Sequence, residues 1–197
     1  MKNIIKLCFV FAASSLMACG NSADEGSAAD SSTTPATVDD NATTSTLAAD
    51  DNNFVMEAAK GGMKEVAAGE AAQKKASNAA TKEVADHMVQ DHTAMNDKVK
   101  SLAATKNVTL PASLPQDEMN KVNEMNNLSG AKFDKAYLDE MVKDHEKTIS
   151  LFENASNNAK DPDVKALATE ALPKLKHHLE MVQNAQKKLS GKGGNKK

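Results

Sequence analysis

The chain has 197 residues, 24 lysines and no arginine, 27 acids, no Trp and a single Tyr, for a formal net charge of −3. That length suits one domain with extensions. Nucleic-acid and phosphate readers rely on arginine forks and aromatic stacking, so their absence argues against a nucleic-acid partner.

The first eighteen residues read as an export signal. Lys2 and Lys6 supply positive charge, Ile4 to Ala13 are largely apolar, and Leu16-Met17-Ala18-Cys19 closes the segment. The apolar stretch is too short for a spanning helix. The closing motif is similar to a bacterial lipobox, with Met17 a less usual residue in it. It implies that Cys19 is acylated and becomes the mature N-terminus. Cys8 would leave with the signal, so no free thiol would remain for disulfides or nucleophilic catalysis. Each acyl methylene contributes roughly 0.8 kcal/mol of membrane affinity, which makes the lipid anchor the expected membrane partner. Gly20 stands where some bacteria use aspartate to retain a lipoprotein in the inner membrane. The expected location is therefore the cell envelope, with the outer membrane favoured.

Residues 19–51 are the expected tether. From 20 to 53 there are seven acids and no base, among Ser, Thr, Ala and Asn. Such a segment buries too little apolar surface to offset its ordering entropy. Its thirty or so residues would span on the order of 30 Å.

Residues 52–190 carry the period of helices, with 191–197 as a basic tail. Asp51 or Asn52 is placed to cap a first helix running to about Ser77. Ser77 or Asn78 is placed to cap a second, ending near Thr105. Lys106 to Pro115 contains two prolines and reads as a loop, and Gln116 to Leu128 as a short helix. A third long helix is expected from Ala131 to about Asn157. Asp161-Pro162-Asp163 is a start signal for a fourth, which ends near Leu189 with Gly191 beyond it. Pro173 removes a backbone bond to the Thr169 carbonyl and is expected to kink that helix.

Two connections are short, which makes the paired helices antiparallel. The link between the second and third long helices has some 25 residues, enough to run about 38 Å as helix. The expected fold class is all-α: a ferritin-like four-helix bundle with one long crossover carrying a short extra helix.

The apolar stripes carry the chemistry. On the second helix Ala85, Met88, His92, Met95, Val99 and Leu102 follow three-four spacing. On the third Leu138, Met141, His145, Thr148 and Phe152 do so, and on the fourth Leu175, His178 and Val182 lie on one seam. The first helix shows a face of small residues, Ala58, Gly62, Gly69 and Ala72, interrupted only by Glu65. Three histidines and a glutamate thus fall near the midpoints of inward faces, where bundles build metal sites. Met88-Val89-Gln90-Asp91-His92 recurs 53 residues later as Met141-Val142-Lys143-Asp144-His145. Asp91 and Asp144 lie about 100° round from their histidines and could ligate or orient a ring from behind.

The candidate metal set is Glu65, His92, His145, His178, Asp91 and Asp144, suited to a transition metal among Fe, Zn, Cu and Mn. No histidine has a glutamate three residues before it, which disfavours a di-iron carboxylate centre. The nearby methionines read as core filler rather than copper ligands. His87 and His177 read as surface residues. No nucleophile or phosphate-loop motif occurs; a metal-buffering or stress role is the first reading, with enzyme activity left open. The alternative is a structural or interaction module of the envelope whose polar residues satisfy one another without metal.

The blocks Phe54 to Gly62, Glu65-Val66, Met88 to His92, Phe133 to Leu138, Asp144-His145, Leu172-Pro173 and His178-Leu179 resemble the bacterial secreted and lipoprotein family known as domain of unknown function 4142. The resemblance covers residues 52 to 189. It implies an envelope location and a ferritin-like bundle, and singles out Glu65, Asp91, His92, Asp144, His145, Pro173 and His178. It implies no reaction.

Overall fold

A computed structural model describes residues 45–191. The signal segment, Cys19, the tether up to residue 44 and the tail from 192 lie outside the described residues. Five helices follow one another: α1 (Ala49–Lys75), α2 (Ala79–Thr105), α3 (Gln116–Asn126), α4 (Gly130–Asn158) and α5 (Pro162–Gly191). No strand occurs among the described residues, and no helix there is long and apolar enough to cross a membrane.

The helix ends follow local chemistry, with one exception. Asn78 caps α2 by accepting from the Ala80 amide at 2.9 Å. Asp161 starts α5 by accepting from the amides of Asp163 and Val164, with Pro162 as the first helical residue. At α1 the expected cap is corrected: the helix begins at Ala49, and its preceding residue makes no side-chain cap. Asp51 is instead buried inside the first turn, where its carboxylate accepts from the amides of Lys160 and Asp161 in the α4–α5 turn. Pro173 is carried within α5, whose helix continues to Gly191.

Four long helices form a bundle. α1 packs on α2 and α4, α5 packs on the same two, and short α3 lies against α1 and α4. The apolar interior divides into two clusters. One collects Phe54 and Val55 from the start of α1, Val99 and Ala103 from the end of α2, Phe152 from the end of α4 and Val164 and Ala168 from the start of α5. The other collects Ala72 from α1, Val84 and Met88 from α2, Phe133, Tyr137 and Met141 from α4 and Val182 from α5. Between them lies a polar layer that contains Glu65, His92, His145 and His178.

Candidate metal centre

Small residues bring α1 and α2 close enough for the layer to form. A methyl group at Gly62 would stand 1.9 Å from Asn96 Oδ1, and one at Gly69 would stand 2.8 Å from Val89 Cγ2. These glycines lie three residues before and four after Glu65, so they open the two turns of α1 that flank it. Glu65 then reaches across to α2, and its Oε2 accepts from His92 Nδ1 at 2.9 Å.

The three imidazoles meet in one layer. Their ring centroids stand 5.5 Å apart for His92 and His145, 5.2 Å for His92 and His178, and 5.5 Å for His145 and His178. One ring nitrogen of each lies within 4.8 Å of one from each of the others. All three residues and Glu65 are at most 3 % exposed.

Each ring is held from behind. His92 Nδ1 donates to Glu65, and His145 Nδ1 donates to the Met141 carbonyl at 2.9 Å with Glu65 Oε1 at 3.5 Å. His178 Nε2 donates to Asp91 Oδ2 at 2.8 Å, and Lys174 holds the other oxygen of Asp91 at 2.6 Å. A carbonyl or carboxylate can only accept, so these contacts set the tautomers. They leave His92 Nε2, His145 Nε2 and His178 Nδ1, which are buried and have no partner. Three buried ring nitrogens are therefore left with no hydrogen-bond partner supplied by the chain.

The electrostatics separate the rings. Burial pushes the His178 imidazole down to about 4, against the pull of Asp91. Burial also lowers His145. His92 is raised: burial works against its charge, but the adjacent Glu65 carboxylate outweighs it. Glu65 is held down at about 2, because the facing histidines overcome the burial that would raise it. His145 and His178 are therefore neutral at neutral pH and keep open lone pairs, while the Glu65 carboxylate favours the charged form of His92.

The structure brings together five of the six sequence candidates, in two roles. Each histidine keeps one buried nitrogen without a partner. Glu65 and Asp91 contact the opposite nitrogens, as orienting carboxylates do at metal-bound histidines. Asp144 is placed elsewhere: its carboxylate pairs with buried Lys64, at 2.8 Å, beside Glu140 and Glu118. His87 and His177 are exposed. Sequence reasoning missed Lys64, whose signal was a cation directly before the one glutamate on a small-residue face. The Met141 carbonyl was also missed, and no side-chain pattern marks it.

The donor set suits an ion. Imidazole nitrogens bound at about 2.1 Å to a tetrahedral centre stand about 3.4 Å apart, so nitrogens now within 4.8 Å of one another would have to close in to share an ion. What fold and site define is a helical bundle with a buried three-histidine cluster that could hold a metal. The chain belongs to the family described as Domain of unknown function (DUF4142), whose model matches residues 36–185. Neither the curated proteins nor the solved structures contain a match to it.

Proposed function

We propose that this protein is a lipid-anchored envelope protein whose bundle binds one transition-metal ion through His92, His145 and His178. The carrying observation is the set of three buried ring nitrogens without partners, each on a ring whose other nitrogen is already engaged. Glu65 and Asp91 orient the rings, and Glu65 offsets part of the ion's charge. His145 and His178 are neutral near pH 7, and ligation displaces whatever proton Glu65 holds on the His92 ring. The metal belongs among Fe, Zn, Cu and Mn, all of which accept imidazole nitrogen.

The bundle is read as ferritin-like, with residues 106–129 crossing its length between α2 and α4. The composition of the two core clusters supports this, since the ends of α2 and α4 share one cluster and their starts share the other. The lipobox at Cys19 and the acidic segment after it support an anchored domain held off an outer-membrane surface. A buried site without nucleophile chemistry favours buffering or stress protection over catalysis.

Metal content after loading, measured on the purified full-length chain and on a variant with alanine at all three histidines, tests the reading. About one ion per chain in the first and none in the second is expected. Near-zero metal in both would overturn it. A second reading rests on the Glu65–His92 and Asp91–His178 contacts, which tie α1 to α2 and α2 to α5. In it the layer is purely structural, and the same variant would lose thermal stability with no change in its response to metal.

A further inference from the structure

A cleft of about 430 Å³ opens between α1, α3 and α4 and reaches Glu65 at its base. Glu118 from α3, with Glu140 and Asp144 from α4, converges there on one point, the ammonium of Lys64. That lysine is 6 % exposed, next in sequence to Glu65 and wedged among the three acids. Three carboxylates from two elements around one cationic position have the form of an oxygen-donor cation site whose cation is supplied by the chain. A second observation points inward. Glu65 lines the same cleft, and its buried Oε1, 3.5 Å from His145 Nδ1, has no hydrogen-bond partner. A cation among the acids would therefore have its next oxygen donor on the residue that touches His92 and His145.

We propose that Glu118, Glu140 and Asp144 form a staging site for a divalent transition-metal ion on its way to the histidines, with the Lys64 ammonium holding the place at rest. The proposal rests on the histidine layer as the destination. An incoming hydrated ion exchanges water for carboxylate oxygen in the cleft and displaces the flexible lysine side chain outward. It then passes Glu65 to nitrogen donors in the interior. Lys64 keeps the acids compensated between passages, so the native chain retains one ion, at the histidines, and none among the carboxylates.

Two variants of the full-length chain test this, Lys64→Met and a chain combining Glu140→Gln with Asp144→Asn, with circular dichroism to confirm folding. Co²⁺ absorption follows loading of the histidines, and Mn²⁺ binding counts oxygen-donor sites. Lys64→Met is expected to load Co²⁺ about tenfold faster and to bind one additional Mn²⁺, and the carboxylate variant to load about tenfold more slowly, in the range of electrostatic effects on association. The final Co²⁺ spectrum should be the same in all three. Loading rates within twofold of one another, with the spectrum formed, would overturn the proposal. If no Co²⁺ spectrum forms even in the unaltered chain, the histidine reading fails by itself. The staging site is then judged on Mn²⁺ alone: one ion bound by Lys64→Met and lost on adding Asp144→Asn supports it, and none bound ends it.

Discussion

Each end of the bundle buries a carboxylate whose oxygens are fully used. Asp134 accepts from the amides of Ser77 and Asn78 and from the Ser77 hydroxyl, tying α4 to the α1–α2 turn. Asp51 does the same for the α4–α5 turn at the opposite end. The middle layer is built differently. Its polar atoms come from four helices, and after every available contact is made three ring nitrogens and one glutamate oxygen remain open. Buried groups that serve only stability are normally saturated, as Asp51 and Asp134 are, although Thr81 Oγ1 and Tyr137 Oη near the Asp134 end are also left without a partner. The difference sets the two carboxylates that tie the turns apart from the one layer in which three imidazole nitrogens and a carboxylate oxygen are open together.

Asp134→Ala should show the largest effect on folding. It strands two amides and a hydroxyl at the α1–α2 turn and should cost about 3–4 kcal/mol in urea denaturation. Metal content should be unchanged, because the layer lies several turns away.

The middle layer should dominate the pH dependence. His178 has a folded pKa of about 4, below its unfolded value, so the unfolded chain binds the extra proton between about 6.5 and 4. Stability should therefore fall as pH drops through that window, by up to about 3 kcal/mol. His92 is raised, so its contribution is present below its unfolded value and is lost as pH climbs through the folded one. Urea midpoints of the metal-free chain should thus peak near neutrality, and His178→Asn should flatten the acid side. An unchanged acid limb in that variant would place the titration elsewhere.

Asp91→Ala inverts the Asp134 result. Removing an acceptor behind a metal-bound histidine typically costs 10- to 100-fold in affinity. Folding stability should change less, because Asp91 borders solvent and water replaces the lost acceptor. Competition with a chromophoric chelator gives the affinity, and equal affinities would remove Asp91 from the site.

Much of this layer was legible from spacing. The helical period put His92, His145 and His178 on inward stripes, and the small residues around Glu65 marked a close helix approach. The repeated Met-Val-x-Asp-His block misled on one point, by treating Asp91 and Asp144 as equivalent. Each aspartate sits at the edge of its stripe, so its partner is set by the neighbouring helix. For Asp91 that neighbour is α5, which offers His178 and Lys174; for Asp144 it is α1, which offers Lys64. Periodicity within one helix holds no record of which neighbour will face its edge. The ring nitrogens were equally out of reach, since the His145 tautomer depends on a backbone carbonyl one turn earlier.

The smallest predicted effect probes the packing that makes the layer possible. Gly69→Ala should gain about 1 kcal/mol of helix propensity, as an alanine in mid-helix ordinarily does. The added methyl, however, would meet Val89 Cγ2 at 2.8 Å and the Ala85 carbonyl at 3.4 Å. Valine in a helix is nearly confined to one rotamer, so it cannot swing aside cheaply. Overpacking of this kind costs about 1–3 kcal/mol, which leaves a net loss of about 1 kcal/mol. Shortening the opposing side chain separates the two contributions. In a Val89→Ala background the clash is gone, and Gly69→Ala should then stabilise the chain, because only the propensity gain remains. Val89 lies three residues before His92, and Gly69 four after Glu65, so helices forced apart there would also lengthen the 2.9 Å Glu65–His92 contact. A stabilising Gly69→Ala in the unaltered background would mean that this close approach is not what sets that contact.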